Sequence, residues 1–254
     1  MKINVHYSTQ HFDDLYFTGK TSVVIDVLRA TTVIVTALKN GAREIIPVST
    51  VDFAMKVSGN AFGGQTIIGG ERNNKKVEGF NLGNSPLEYT PDVVTGKSII
   101  LYTTNGSKAI VKAKFSENLF ICCFHNLPAV ANQLITLDKD VEIICSGENG
   151  NFNLEDTICA GRLLSEIKKI NENIEISDSG KASLILNKSL GKNIAKMLKD
   201  TEHGKNLIES GFAQDIKVCA QYGITDTIPF FFSGSIRKME TEVAQNNLNE
   251  LKAS

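Results

Sequence analysis

The chain has 254 residues, 42% of them hydrophobic, with 27 Lys and Arg against 28 Asp and Glu. That length and apolar content support a substantial core and exclude disorder, and the near-neutral balance removes the general electrostatic case for nucleic acid or an anionic membrane surface as partner. No apolar run approaches the ~20 residues of a membrane span. The first residues, with Asn4, His6, Ser8 and Gln10, lack the apolar centre of a signal peptide, so a cytoplasmic protein is expected. The five cysteines (Cys122, Cys123, Cys145, Cys159, Cys219) are odd in number and contain no C-x-x-C pair, which argues against a disulfide framework or a zinc knuckle. The four histidines (His6, His11, His125, His203) show no metal-binding spacing, so any metal should be a hard cation on oxygen ligands.

Short β-branched runs alternate with helical patterns. Strands are expected at 3–7, 23–27, 44–48, 66–68, 98–102, 119–123 and 141–145, and helices at 32–40, 51–57, 107–114, 128–135 and 154–169. From about 171 the pattern weakens to a short strand at 174–176, helical regions at 182–199 and 206–221 around Gly191 and Gly211, and strands at 227–232 and 235–239. The tail beyond 240 reads as a surface helix or a frayed end. Parallel neighbours need a crossover, usually a helix, so the alternation implies an α/β protein with a largely parallel or mixed sheet covered on both faces. One domain over 1–254 is expected, with about 171–226 as a more helical capping lobe.

Four polar loops each follow an expected strand, and in a parallel sheet such loops gather at the carboxyl edge. The first carries Asp26, Arg29, Thr31 and Thr32. It reads either as an anion or metal-anion site or as an acid and an arginine that simply neutralise each other. The second is the long stretch 69–86, GGERNNKKVEGFNLGNSP, with Glu71, Arg72, Asn84 and Ser85; an 18-residue structureless connection is uncommon and tends to be functional. The third, Thr103, Thr104, Asn105, Gly106 and Ser107, reads as a phosphate cradle or as an ordinary turn opening a helix. In the fourth, 146–156, Gly147 is a candidate substrate contact, and Glu155 and Asp156 either favour the positive end of a helix or turn inward as metal ligands. Cysteine-phosphatase, aspartyl-phosphatase and P-loop spacings are all unmatched.

Taken in order, VVIDVLRATT, NGA at 40–42, GGER, GFNLGNSP, TTNGS, CSGENGNFNLED and HGKNLIESGFAQDIKVCA resemble the 2-phosphosulfolactate phosphatase family over roughly 20–235. The resemblance implies a three-layer α/β/α fold and a Mg2+-dependent phosphatase that removes phosphate from 2-phospho-3-sulfolactate, a step of coenzyme M biosynthesis. Departures are Asn81, Ser107 and Asn153, where the family commonly has Asp, Thr and Ser.

The chemistry of such a reaction suits the residues present. Asp26, Arg29 and Glu71 are the catalytic candidates, and Asp26 with Glu71, Glu155 or Asp156 is the expected Mg2+ site. Arg29, Thr31, Arg72, Asn84, Ser85, Gly147 and the 103–107 loop are the expected contacts of a small, multiply anionic substrate. Attack by water and attack by Asp26 itself both remain open. The alternatives are a phosphatase for another phosphorylated hydroxy acid, or a non-catalytic small-anion regulatory module. A homo-oligomer is admissible.

Overall fold

The computed structural model describes residues 1–13, 15–60 and 65–239; the tail beyond 240 lies outside the described residues. In chain order the first elements are β1 (Lys2–His6), β2 (Thr21–Ile25), α1 (Ala30–Lys39), β3 (Glu44–Val48), α2 (Val51–Asn60), β4 (Thr66–Arg72), β5 (Lys75–Lys76), a 3-10 turn at Pro86–Glu88, and α3 (Pro91–Val94). There follow β6 (Ser98–Tyr102), α4 (Gly106–Lys112), β7 (Asn118–Cys122), α5 (Leu127–Leu137), β8 (Val141–Cys145), α6 (Leu154–Ile170) and β9 (Glu175–Ile176). The chain then forms α7 (Asp178–Leu190), α8 (Ile194–Asp200), α9 (Glu202–Glu209), α10 (Ala213–Cys219), β10 (Pro229–Phe232) and β11 (Ser235–Lys238). Among the described residues no helix is long and apolar enough to cross a membrane. The five cysteines are all buried and unpaired as disulfides.

The protein is a three-layer α/β/α structure on a mixed sheet of order β5-β4-β6-β3-β11-β10-β7-β2-β8-β1-β9. Period-two side chains explain the layers. On β2, Val23 and Ile25 join one apolar cluster and Val24 another; on β6, Ile99 and Leu101 face one cluster and Ile100 and Tyr102 a second. Every residue of β2, β6 and β8 is buried, which is why apolar residues occupy both faces of these strands. Each fully buried Ile, Leu or Val contributes about 1.5–3 kcal/mol relative to exposure.

One feature departs from the sequence expectations. The stretch 69–86 is not one long loop: β4 runs on to Arg72, a two-residue turn at Asn73–Asn74 has positive φ at both positions (52° and 64°), and the chain returns as β5. Paired left-handed residues define a type I′ hairpin, and Asn tolerates that conformation better than most residues. The strand order, which the sequence left open, places β10 and β11 away from either edge of the sheet. They insert as an antiparallel hairpin in its middle, each joined to its neighbour by a single bridge, Phe230 to Phe120 and Ile236 to Ile45.

That insertion has a geometric consequence. Three successive antiparallel steps (β3 to β11, β11 to β10, β10 to β7) make the parallel arm β3-β6-β4 run opposite to the parallel arm β7-β2-β8-β1-β9. In a flat sheet their carboxyl ends would lie at opposite edges. Yet the Asn149 N–H, after β8, donates to Asn105 Oδ1, after β6, at 3.1 Å, and Gly106 lies against the Asp26 carboxylate, after β2. The sheet therefore turns sharply at the hairpin, where right-handed twist is largest in two-stranded ribbons. Helices α1 and α4 fill the inside of the turn, with Val33, Ile34, Ala109 and Ile110 packed against Ile45 and Ile99 of one arm and Val24 and Ile121 of the other. Helices α5 and α6 cover the outer face of the longer arm together with Leu198, Leu207 and Ile216 of α8, α9 and α10, and α2 covers the outer face of the shorter arm.

Candidate active site

Strand β2 delivers Asp26 to the inside of this bend, 6% exposed. Its Oδ1 accepts the Ala30 N–H at 3.1 Å, an acid at the positive end of α1. Burial pushes the carboxyl up to about 6; the charge of His203 and the bonds from Ala30 and Ser146 pull against it, and Glu71 adds to the rise. Gly106 packs directly on Asp26, since a Cβ there would lie 2.4 Å from Oδ2.

Around Asp26 stand three further buried acids. Glu71, from β4, accepts the Thr104 N–H at 2.7 Å and the Asn74 N–H at 2.8 Å. Asp156, from α6, accepts the Val27 N–H at 2.8 Å, the Ser146 hydroxyl at 2.9 Å and the Asn153 amide at 2.9 Å. Its pKa is raised by burial first, then by Asp26 and Glu155. Glu155 turns to His203, whose Nδ1 is 3.5 Å from Oε1; the other ring nitrogen lies 3.2 Å from Asn74 Oδ1. Burial disfavours the charged imidazole, but the bond and charge of Glu155, with Glu148 and Asp26, outweigh it and the His203 pKa is raised.

Arg29 is buried beneath the crevice rather than open on its surface. Its Nη1 donates to Asp215 Oδ2 at 2.7 Å, its Nη2 to the Asn74 carbonyl at 3.4 Å, and its guanidinium stacks 4.2 Å from the Phe212 ring. It therefore neither pairs with Asp26, as one sequence reading had it, nor stands free to meet solvent anions. Ser85 donates to the second oxygen of Asp215 at 2.8 Å and caps the turn at Pro86.

The phosphate-cradle expectation for 103–107 needs correction. The Ser107 hydroxyl takes the Thr103 N–H, the Thr103 hydroxyl takes the Ser107 N–H, each at 2.9 Å, and both side chains are buried. This reciprocal pairing starts α4, as an N-terminal capping pair does; the Ser107 hydroxyl also donates to the Thr103 carbonyl at 3.0 Å and is fully engaged, whereas the Thr103 hydroxyl only accepts. Thr31 is likewise engaged: its hydroxyl donates to the Asp26 carbonyl at 2.8 Å and accepts the Asp26 N–H at 3.1 Å. Arg72 is exposed beside the Asn73–Asn74 turn. Gly147 is a turn glycine with φ +68°, where a Cβ would meet the Asn151 carbonyl at 2.3 Å. Asn105 receives the Asn149 N–H and so ties two loops together.

The remaining polar capacity points inward. Thr104 Oγ1, Asn84 Oδ1 and Asn153 Oδ1 are buried and have no hydrogen-bond partner among the described residues. Buried polar atoms are almost always paired, so the orphans on Thr104, whose N–H bonds Glu71, and on Asn153, whose amide bonds Asp156, mark places for ligand or water atoms beside the acid cluster. Among the described residues no three His, Cys, Asp or Glu side chains gather tightly enough to enclose a metal by themselves. Mg2+, however, typically takes one or two carboxylates and completes its shell with water and substrate oxygen. Asp26 suits that donor set best, because it accepts one backbone N–H where Glu71 accepts two and Asp156 accepts three donors.

Sequence reasoning missed His203, Asp215 and Asn74 as site residues. Asn74 bonds to Glu71, Arg29 and His203 at once. The adjacent asparagines between GGER and KK were the signal for the turn that presents it.

An α/β core whose strand ends enclose clustered acids, an imidazole and a buried guanidinium defines an enzyme fold with a crevice for a small polar ligand. The model of the 2-phosphosulpholactate phosphatase family matches residues 7–234, and the chain belongs to that family of phosphoric monoester hydrolases. Three relatives carry the name "Probable 2-phosphosulfolactate phosphatase". The chain is 39% identical to the one from Caldanaerobacter subterraneus subsp. tengcongensis over 237 residues (93% of this chain, 98% of the relative). It is 41% identical to that of Clostridium novyi over 238 residues (94% and 100%), and 39% identical to that of Symbiobacterium thermophilum over 222 (87% and 95%).

Proposed function

We propose that this protein is a Mg2+-dependent phosphatase that hydrolyses 2-phospho-3-sulfolactate to 3-sulfolactate and inorganic phosphate, a reaction of the coenzyme M biosynthesis type. The observation that carries the proposal is the convergence of Asp26, Glu71 and Asp156, with the unpartnered atoms of Thr104 and Asn153 beside them, in a chain that belongs to this family. Asp26, with Glu71 or Asp156, would hold the cation. When bound it would neutralise these clustered carboxylates and the phosphoryl oxygens they face, which a crevice this acidic otherwise repels.

The chain's own residues do the rest. Asp26 is the group that meets the phosphoryl end, and with a pKa near 6 its carboxylate is ionised at neutral pH and able to orient and deprotonate a water in line with the ester. Glu71 and Asn74 fix the β4–β5 hairpin over that water, and Thr104 Oγ1 and Asn153 supply short polar contacts. Gly106, lacking a Cβ, lets the start of α4 pack directly against the Asp26 carboxylate.

Phosphate release from 2-phospho-3-sulfolactate, measured with and without EDTA, tests this directly. Release that stops with chelator and returns with Mg2+ is the expected result. Release from other phosphorylated hydroxy acids but not this one would move the assignment to a different substrate. Anion binding without turnover and without metal dependence would replace the enzyme with a regulatory module. Acid-quenched samples carrying an acyl-phosphate on Asp26 would overturn water attack in favour of a phosphoenzyme.

A further inference from the structure

A second hollow, of about 410 Å³, lies at the seam between β3 and β11. Ile45 and Ile236, which form the bridge across that seam, point to the inside of the bend, so their strand neighbours Glu44, Ile46, Ser235 and Arg237 line the outer face. Glu44 is in register with Ser98 and, beyond it, Thr66 at the start of the shorter arm, whereas Val48, Tyr102 and Gly70 at its other end lead to the crevice. The hollow is therefore remote from Asp26 both across the sheet and along its strands. Glu44 Oε2 accepts Nε and Nη2 of Arg237 at 3.1 and 2.7 Å, and Oε1 accepts the Ser98 hydroxyl at 2.7 Å. Ser98 Oγ in turn accepts Nε and Nη2 of Arg43 at 3.1 and 2.6 Å. Burial would raise the Glu44 carboxyl, but the bonds from Ser98 and Arg237 outweigh it and hold its pKa below the ordinary value. Two guanidiniums thus stand against one ionised carboxylate. Arg237 spends only one edge on Glu44: Nη1, which carries two of its five N–H donors, has no hydrogen bond among the described residues, and the side chain is 60% exposed. The Ser235 hydroxyl is buried, lies near enough to Glu44 to help lower its pKa, and has no hydrogen-bond partner among the described residues, which marks a place for a ligand or water atom.

We propose that this hollow is an oxyanion site remote from the crevice, in which Arg237 Nη1 and the Ser235 hydroxyl donate to one phosphate or carboxylate group and Arg43 supplies a second positive charge from the far rim. The donor set fits that class: the free edge of a planar guanidinium matches oxygens of a carboxylate or phosphate, the hydroxyl adds a donor, and the rim carries one net positive charge. Arg43 and Glu44 sit at the start of β3, and Ser235 and Arg237 on β11, so an anion held between them adds a link across a seam that the main chain closes with a single bridge. Binding therefore stabilises the inserted hairpin. None of these residues takes part in the phosphatase reading above, so the two stand or fall separately.

The test is calorimetry and thermal melting in EDTA, with inorganic phosphate and acetate as separate probes, on wild type, Arg237→Gln and Ser235→Ala. Without a cation the acidic crevice repels anions, so binding in EDTA reports the hollow. The expected result is that at least one probe binds wild type and raises its Tm, that Ser235→Ala weakens this binding about threefold to tenfold, and that Arg237→Gln weakens it at least about tenfold. Whichever probe binds more tightly gives the class of the ligand, a phosphoryl group or a carboxylate, and either upholds the site. No binding of either probe to wild type, or an affinity that neither substitution changes, overturns it. Should Arg237→Gln fail to fold because Glu44 loses its partner, Ser235→Ala, which leaves the Arg237–Glu44 pair in place, decides alone: weakened binding upholds the site and unchanged binding overturns it.

Discussion

Gly106→Ala is the sharpest test of how the site is packed. Gly106 lies outside the left-handed region, so its backbone accepts any residue and the requirement for glycine is purely steric. The new methyl would stand 2.4 Å from Asp26 Oδ2 and 2.5 Å from Ala30 Cβ, about 1 Å inside ordinary contact in both directions. The carboxylate can rotate away, but the Ala30 methyl is fixed to the first turn of α1, so α1 and α4 must separate. Overpacking of this kind costs about 1–3 kcal/mol, which lowers Tm by roughly 3–10 °C for a chain of this size. Displacing Asp26 by about 1 Å should reduce phosphate release by a factor on the order of a hundred. Adding Ala30→Gly removes one of the two clashes at the expense of about 1 kcal/mol for glycine in a helix. The double variant should then be more stable than the two single effects predict, a coupling of at least about 1 kcal/mol. Thermal melts and a phosphate-release assay on the three variants give both readings. A Gly106→Ala protein that melts with wild type and keeps full turnover would refute the packing argument.

Three further outcomes follow from the hydrogen bonds. Ser107→Ala removes half of the reciprocal pair with Thr103 and leaves a buried N–H unsatisfied, so denaturant melts should show a loss of about 1–2 kcal/mol. Asp26→Asn has a pH signature in chelator: the folded protein holds the Asp26 proton more tightly than the unfolded chain, so this group favours folding below about pH 4 and loses that contribution as pH rises through about 6. The rise from 3.8 to about 6 is worth up to about 3 kcal/mol, so the variant should out-melt wild type at pH 8, with the gap closing toward pH 4, and lower stability at pH 8 would contradict it. Asn81 Oδ1 accepts the Ile68 N–H at 2.9 Å, a task Asp performs equally well, so Asn81→Asp should leave Tm and the metal requirement where they are while Asn81→Ala costs about 1 kcal/mol.

The departure at position 81 illustrates what sequence reading resolves. An Asp there invites assignment as a metal ligand, but the side chain braces β4 from an exposed position, and Glu71 three residues on from Ile68 is the acid that this strand delivers. Strands at 44–48, 98–102 and 141–145 were legible to the residue because strands buried on both faces are mostly apolar, with Glu44, Ser98 and Glu142 as single polar interruptions. The 154–170 helix was equally plain, with acids in its first turn and lysines in its last. Asp26, Glu71, Glu155 and Asp156 were identified as a group because each follows a strand. His203 and Asp215 were not, since α9 and α10 bring them in from far along the chain and neither sits in a metal or nucleophile spacing. The hydroxyls at Thr31 and Ser107 are engaged by their own helix starts for the opposite reason: a helix start and a ligand cradle use the same residues, and only the partner atoms tell them apart.

The strand order was the least legible feature, and the site depends on it. Inserting β10–β11 reverses one parallel arm against the other, which in a flat sheet would carry Glu71 and Thr104 to the edge opposite Asp26 and Asp156. The bend at the hairpin brings the two sets of strand ends face to face, with α1 and α4 clamped between the arms. Acids from both arms then share one buried space, where burial first, and the neighbouring carboxylates after it, raise the Asp26 and Asp156 pKa values. A single parallel sheet would line these loops along one edge as a row. The inserted hairpin makes them two opposed walls, with Glu71 and Thr104 from one arm facing Asp26 and Asp156 from the other.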